Sequence, residues 1–170
     1  YRPLEKEDQE IRILVLQRGA DRSSPLHCKL EHIPLSYATF SAITHVWRQQ
    51  EENRIRIEGL NTTIGENLGQ ALINLRKDEE DLRLSADAIC ITQQDDVEKS
   101  WQVELMGDIF NTALLTYVWL RPTPGDHDES PAQALDMILE IGKSCKGHQV
   151  VGYVWPDNGL LSISTFIPEK

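Results

Sequence analysis

From Glu10 the chain reads EIRILVLQRG, with Ile11, Ile13 and Val15 on one side, Leu14 and Leu16 on the other, and Gly19 at the end. Apolar residues on both sides predict a strand covered on both faces. Leu26 to Leu35 alternates Leu26, Cys28 and Leu30 against His27, Lys29 and Glu31, the pattern of a half-exposed strand. Tyr37 to Trp47 is a third β-rich run, and Arg54 to Ile64 predicts a small hairpin turning at Gly59.

The period then changes. Ile64, Leu68, Ala71, Leu72 and Leu75 share one face of a helix, and Thr63 with Glu66 offers a capping box at its start. Leu82 to Ile91 predicts an apolar strand, Val97 to Ala113 a second helix, and Leu114 to Leu120 another strand. Ser130 as cap and Pro131 at the first helical position open a third helix that ends near Gly142. The β-prone tail from Val151 has no assigned place. Helix and strand alternating from Leu68 onward imply parallel strands joined by right-handed crossovers. The expected fold is therefore α/β, a mainly parallel central sheet flanked by helices, with a β-rich N-terminal third and a hairpin.

At 170 residues the chain fits one domain. Its 40% hydrophobic and 26% charged content is that of a globular protein. A net charge of −10, spread along the chain, repels phosphate backbones, and no basic stripe with interleaved aromatics is present. Nucleic acid is not an expected partner. Cys28, Cys90 and Cys145 are odd in number and share no CxxC spacing, which fits a reducing, cytoplasmic setting and no zinc site. The five histidines are scattered without HExxH spacing, and Asp126, His127 and Asp128 read as a solvated turn, so no metal is expected. No apolar run approaches the roughly 20 residues of a membrane helix. An acidic start at Tyr1 without a Met suggests a processed chain or an excised domain.

The stretch DAICITQQDDVEK, Asp87 to Lys99, passes from an apolar strand into a polar helix start. Ligands of open α/β sheets sit at such places, outside the carboxyl ends of strands. Glu98, Gln102, Leu105 and Ile109 form one helical stripe, so Glu98 lies on the inward side of the first turn. Burial there raises a carboxylate's pKa while the helix N-terminus favours its charge, a conflict common at functional sites. A structural reading stands beside this: Asp95 with Glu98 is itself a capping-box pattern, and both readings can hold at once. Cys90 reads as a small buried hydrophobe, and Gln93 with Gln94 as a hydrophilic turn.

The run ADAICITQQDDVEKSWQVELMGDIFNTALLTYVWL resembles the central signature of the fungal heterokaryon-incompatibility (HET) domain at Asp87, Ala88, Cys90, Gln93, Glu98, Gln102 and Trp119, among others. Other blocks agree in order: Tyr1, Pro3 and Leu4 before EIRILVL, Cys28 and Leu30, Tyr37 and THVW, and ENLGQALINLR from Glu66 to Arg76. The resemblance covers Tyr1 to about Arg121, an expected core of 1–121, with 122–170 as a C-terminal helix and β-prone extension of the same domain. Departures mark a divergent member: Ser85 and Ala86 for Trp-Ile, Thr92 for Asn, Thr44, His45 and Arg48 for Ser, Tyr and Gly, and Arg121 for Gly.

The resemblance implies an effector or signalling module of fungal programmed cell death that works by self-association or by binding protein partners. The family has also been proposed as a remote relative of TIR domains, whose fold is flavodoxin-like. Some of those cleave NAD with a glutamate at a helix start. By that analogy the chain needs no cofactor, NAD is a substrate, and Glu98 is the catalytic carboxylate. Asp87, Gln93 and Gln102 would then bind ligand, with Trp47 as a stacking platform and His45 as a donor. The bland alternatives are a core Trp47 and an exposed loop His45.

Overall fold

The computed structural model describes residues 2–45, 52–119, 149–155 and 160–166, the last two ranges as backbone alone. In chain order the elements are β1 (Glu10–Leu16), β2 (Leu26–Pro34), a 3-10 turn (Leu35–Tyr37), β3 (Ser41–His45), β4 (Glu52–Ile57) and β5 (Leu60–Gly65). Then follow α1 (Glu66–Leu75), β6 (Leu82–Ala86), α2 (Asp87–Cys90), α3 (Asp96–Glu104), α4 (Met106–Thr112), β7 (Thr116–Trp119), β8 (Gln149–Trp155) and β9 (Leu160–Phe166). The strands join one sheet of order β5-β4-β2-β1-β6-β3-β7-β9-β8, of which β1 to β7 carry described side chains.

The α/β class holds, but the sheet is mixed and not mainly parallel. β6, β3 and β7 run parallel, as do β2 and β4. The remaining pairs, β1 with β2 and with β6, β4 with β5, β7 with β9 and β8 with β9, are antiparallel. Connection length explains the difference. The link from Leu16 to Leu26 is shorter than the dozen or so residues a parallel crossover needs, so β2 returns beside β1 in the opposite sense. The β4–β5 hairpin turns as expected, with Glu58 and Gly59 at φ of 50° and 80°, both in the left-handed region that a tight hairpin favours. The parallel pairs β6–β3, β3–β7 and β2–β4 each join strands that have other elements between them in the chain, which gives them the room to align. A flavodoxin-like sheet does not form.

The sheet is covered on both faces by described helices. β1 is buried along its whole length. Leu14 and Leu16 enter a cluster with Leu68, Ala71, Leu72 and Leu75 of α1 and Ile89 and Cys90 of α2. Ile11 and Ile13 enter a second cluster with Trp101, Leu105 and Ile109 of α3 and α4. β2 alternates buried and exposed positions over its first half, as its sequence predicts.

Three local expectations are corrected. The apolar run from Leu82 leaves the sheet at Ala86, and Asp87 to Cys90 make a helical turn; a short apolar run has no period that separates a strand from a buried helix. The predicted helix from Val97 to Ala113 is two helices, interrupted at Leu105 with φ −78° and ψ −9°. α1 starts only at Glu66 behind Gly65 with no side-chain cap, because Thr63 and Ile64 are still in β5. The helix expected from Ser130 lies outside the described residues, as do Cys145, Arg121 and the Asp126–Asp128 turn. The tail left unplaced by its sequence supplies β8 and β9 on the flank of β7.

Candidate functional site

α2 and the loop after it bring the chain from the end of β6 to Asp95, whose side chain accepts the amide N–H groups of Val97 and Glu98 at 3.0 and 3.1 Å. This is one half of a capping box and starts α3. The other half is absent, because Glu98 is turned inward. Glu98 is 6% exposed, and so are its stripe partners Gln102, Leu105 and Ile109 buried, as their helical spacing predicts. Its carboxylate receives both guanidinium N–H arms of Arg12, at 2.5 and 2.9 Å, and the Leu4 amide at 3.3 Å. Arg12 is itself fully buried and spends its remaining reach on carbonyls, donating to Cys90 O at 3.1 Å and to Arg2 O at 2.6 Å. Burial pushes the Glu98 pKa up, but hydrogen bonding and charge from Arg12 outweigh it, and the carboxyl is held below its usual range.

A second ion pair flanks the first. Arg2 grips Glu10 at 2.5 and 2.9 Å, and Glu10 also accepts the Glu5 amide at 3.1 Å. The Arg2 hydrogen bond leads the causes that hold Glu10 below the ordinary carboxylate range. His32, opposite Arg12 in the β1–β2 register, is pushed down by burial and by the nearby Arg2 and Arg12 charges.

The other sequence-predicted residues divide. Gln102 is buried and donates to Glu10 O at 2.9 Å, so its amide ties α3 to the start of β1. Gln93 is exposed and donates to Ile91 O at 3.1 Å, a turn bond. Asp87 opens α2 and accepts the Ala88 amide at 2.8 Å. His45, at the end of β3, is close enough to Asp87 for its charge to act on it; burial lowers the His45 pKa and Asp87 opposes that. Asp87 and His45 lie at the carboxyl ends of the adjacent parallel strands β6 and β3. Trp47 lies outside the described residues. Cys90 is buried among apolar side chains, and loss of hydration raises its pKa to about 11, which favours the neutral thiol.

Arg12, Asp87, Cys90, Gln102, Met106 and Phe110 are among the residues around a cavity of about 20 Å³. That is room for roughly one water molecule, against the several hundred Å³ of a typical small-molecule site. Arg12 escaped the reading of the sequence, and Asn67 and Trp119 entered it through the family resemblance alone, with no role assigned. Arg12 stands between apolar neighbours on a strand that the sequence predicts to be covered on both faces, and that pattern signals its burial but not its partner. Asn67 and Trp119 are both buried, and Trp119 donates its indole N–H to Asn67 Oδ1 at 2.8 Å, tying α1 to β7. Among the described residues no group of three or more His, Cys, Asp or Glu is placed to hold a metal ion. No described helix is long and apolar enough to cross a membrane.

Residues 35–149, from the 3-10 turn to the start of β8, match the family described as Heterokaryon incompatibility protein (HET). This chain belongs to the HET family. The family links it to heterokaryon incompatibility. The HET chain is also similar to the Heterokaryon incompatibility protein 6, OR allele, of Neurospora crassa, with 28% identity over 179 aligned positions. That alignment takes in 94% of this chain and 25% of the Neurospora protein, so the chain spans about a quarter of that relative's length. No solved structure matches it. The HET match covers Glu98 and Gln102 but begins after Arg12, the residue that neutralises Glu98.

Proposed function

We propose that this HET chain is a signalling module that acts through protein contact, association with a second copy included, and that the Glu98 junction is its structural clasp. The observation that carries this reading is the saturation of the Glu98 carboxylate: both oxygens are taken by Arg12, and one of them also by the Leu4 amide. A carboxylate that orients a ribose or steadies an oxocarbenium-like charge needs an oxygen facing the substrate. The cavity beside Arg12 and Gln102 has room for roughly one water molecule. In the Neurospora relative the matched region is about a quarter of a longer protein, which fits a module that passes a signal to further sequence.

Two measurements test the proposal together. Incubated with NAD at high protein concentration, the chain is expected to release no nicotinamide, and sedimentation over a concentration series is expected to give a rising mass. Nicotinamide release that the Glu98→Gln substitution abolishes would replace this reading with that of a nucleotide-cleaving enzyme.

A further inference from the structure

Ahead of β1 the chain doubles back. Residues 2–5 lie across the junction, and nearly every hold on them comes from the core side. Arg12 donates to Arg2 O, Glu98 accepts from Leu4 N, and Glu10 accepts from Glu5 N and from the Arg2 side chain. The Leu4 side chain is 9% exposed within the cluster of Ile11, Trp101 and Leu105. Such a strap is read mainly through its backbone, with one apolar anchor and one basic anchor.

The link between strap and core is a tight exposed turn over residues 6–9, closed by the Gln9 amide on Lys6 O and the Glu10 amide on Glu5 O, each at 3.0 Å. Gln9 sits at φ 49°, a left-handed conformation disfavoured for a residue with a long side chain and no glycine freedom. Short strained hinges next to a segment with a defined docking site favour exchange between copies, since the exchanged contacts are identical and the strain is relieved.

We propose that two copies of this chain associate by exchanging residues 2–5, each strap seating on the Arg12–Glu98 pair and the Leu4 pocket of the other. Opening the turn frees four residues that span at most roughly 14 Å when extended, enough to carry the strap off its own core. The occupant is argued from the fold: this chain's own segment already carries the carbonyl, the amides, the leucine and the arginine that the site engages. Exchange between two such chains closes into a two-fold dimer and leaves no strap free. The inference gives a route to the self-association proposed above and rests on that reading for its meaning in signalling.

The test compares association constants by sedimentation, with circular dichroism to verify folding. Gln9→Pro forbids the left-handed turn and removes its amide donor, so it is expected to tighten association about tenfold, equivalent to about 1.4 kcal/mol. Gln9→Gly relieves the strain within the monomer and is expected to weaken it by a similar factor. Leu4→Asp is expected to return the Gln9→Pro chain to a monomer. In the unaltered chain, mixed ¹⁴N and ¹⁵N copies cross-linked from Lys6 are expected to give mixed-isotope links in the associated fraction. A folded Gln9→Pro chain that stays monomeric, or associated chains whose Lys6 links are all within one copy, would overturn the exchange. If Leu4→Asp associates as tightly as the unaltered chain, the exchange is wrong while association itself survives.

Discussion

Arg12 and Glu98 are one unit of the core, separated by most of the described chain and joined by two hydrogen bonds. Removing one partner strands a charge out of water, which costs about 3–5 kcal/mol, whereas replacing both with apolar residues of similar size is often neutral or stabilising. Arg12→Met alone is therefore expected to lower stability by about 3–5 kcal/mol in urea unfolding, and the Arg12→Met/Glu98→Leu pair to recover most of it. If the double variant is as unstable as the single one, the carbonyl contacts of Arg12, and not its ion pair, hold the junction.

Acid sensitivity also belongs to single residues. Glu98 and Glu10 are held below the ordinary carboxylate range, so their charged forms stabilise the fold above a pH of about 4.3. That contribution is lost as pH falls through their lowered native values. His32 and His45 are pushed down, in each case chiefly by burial, so the folded chain binds fewer protons there than the unfolded one. Protonation then favours unfolding once pH drops below about 6.5. Urea midpoints measured against pH are expected to decline gently below about pH 6.5 and steeply below about pH 4, with the steep arm shallower in the double variant.

Elements show where a hydrophobic pattern carries information and where it does not. The stripe of Glu98, Gln102, Leu105 and Ile109 places four buried residues because amphipathic spacing sorts the faces of a helix. The same spacing is blind to the break at Leu105, since a short interruption preserves the face. It is equally silent about α2, whose apolar residues suit strand or helix until Ala86 leaves the ladder. α1 adds a feature that only packing reveals. A Cβ built on Gly69 would lie 2.6 Å from Asn53 Cβ in β4, closer than such atoms approach, so the helix rests on the hairpin through a glycine. Gly69→Ala gains about 1 kcal/mol of helix propensity but overpacks this contact at a cost of about 1–3 kcal/mol. A small net loss in melting temperature is expected; a gain would mean that α1 moves off β4 without cost.

At the scale of the whole molecule, the segment that matches the HET family is smaller than the unit that folds. The match starts at residue 35, yet β1 and β2 both precede it and lie inside the sheet between β4 and β6, and β1 supplies Arg12. A chain begun at residue 35 would expose both inner strand edges and bury Glu98 without its counter-charge. It is expected to be insoluble or to lack a cooperative unfolding transition by circular dichroism, while residues 1–170 unfold cooperatively. Cooperative folding of the shorter chain would show β1 and β2 to be accessory strands.

The buried stripe of α3 and the hairpin at Gly59 were legible from residue order because each rests on spacings within a few positions, and family membership and the α/β class because local patterns recur in order along the chain. Strand direction, the pairing of Arg12 with Glu98 and the seat of the N-terminal strap were not. Those depend on which distant segments become neighbours in the sheet. A charged residue in a strand has the same local pattern whether it meets water or a carboxylate from another layer, and the folded chain alone makes that choice.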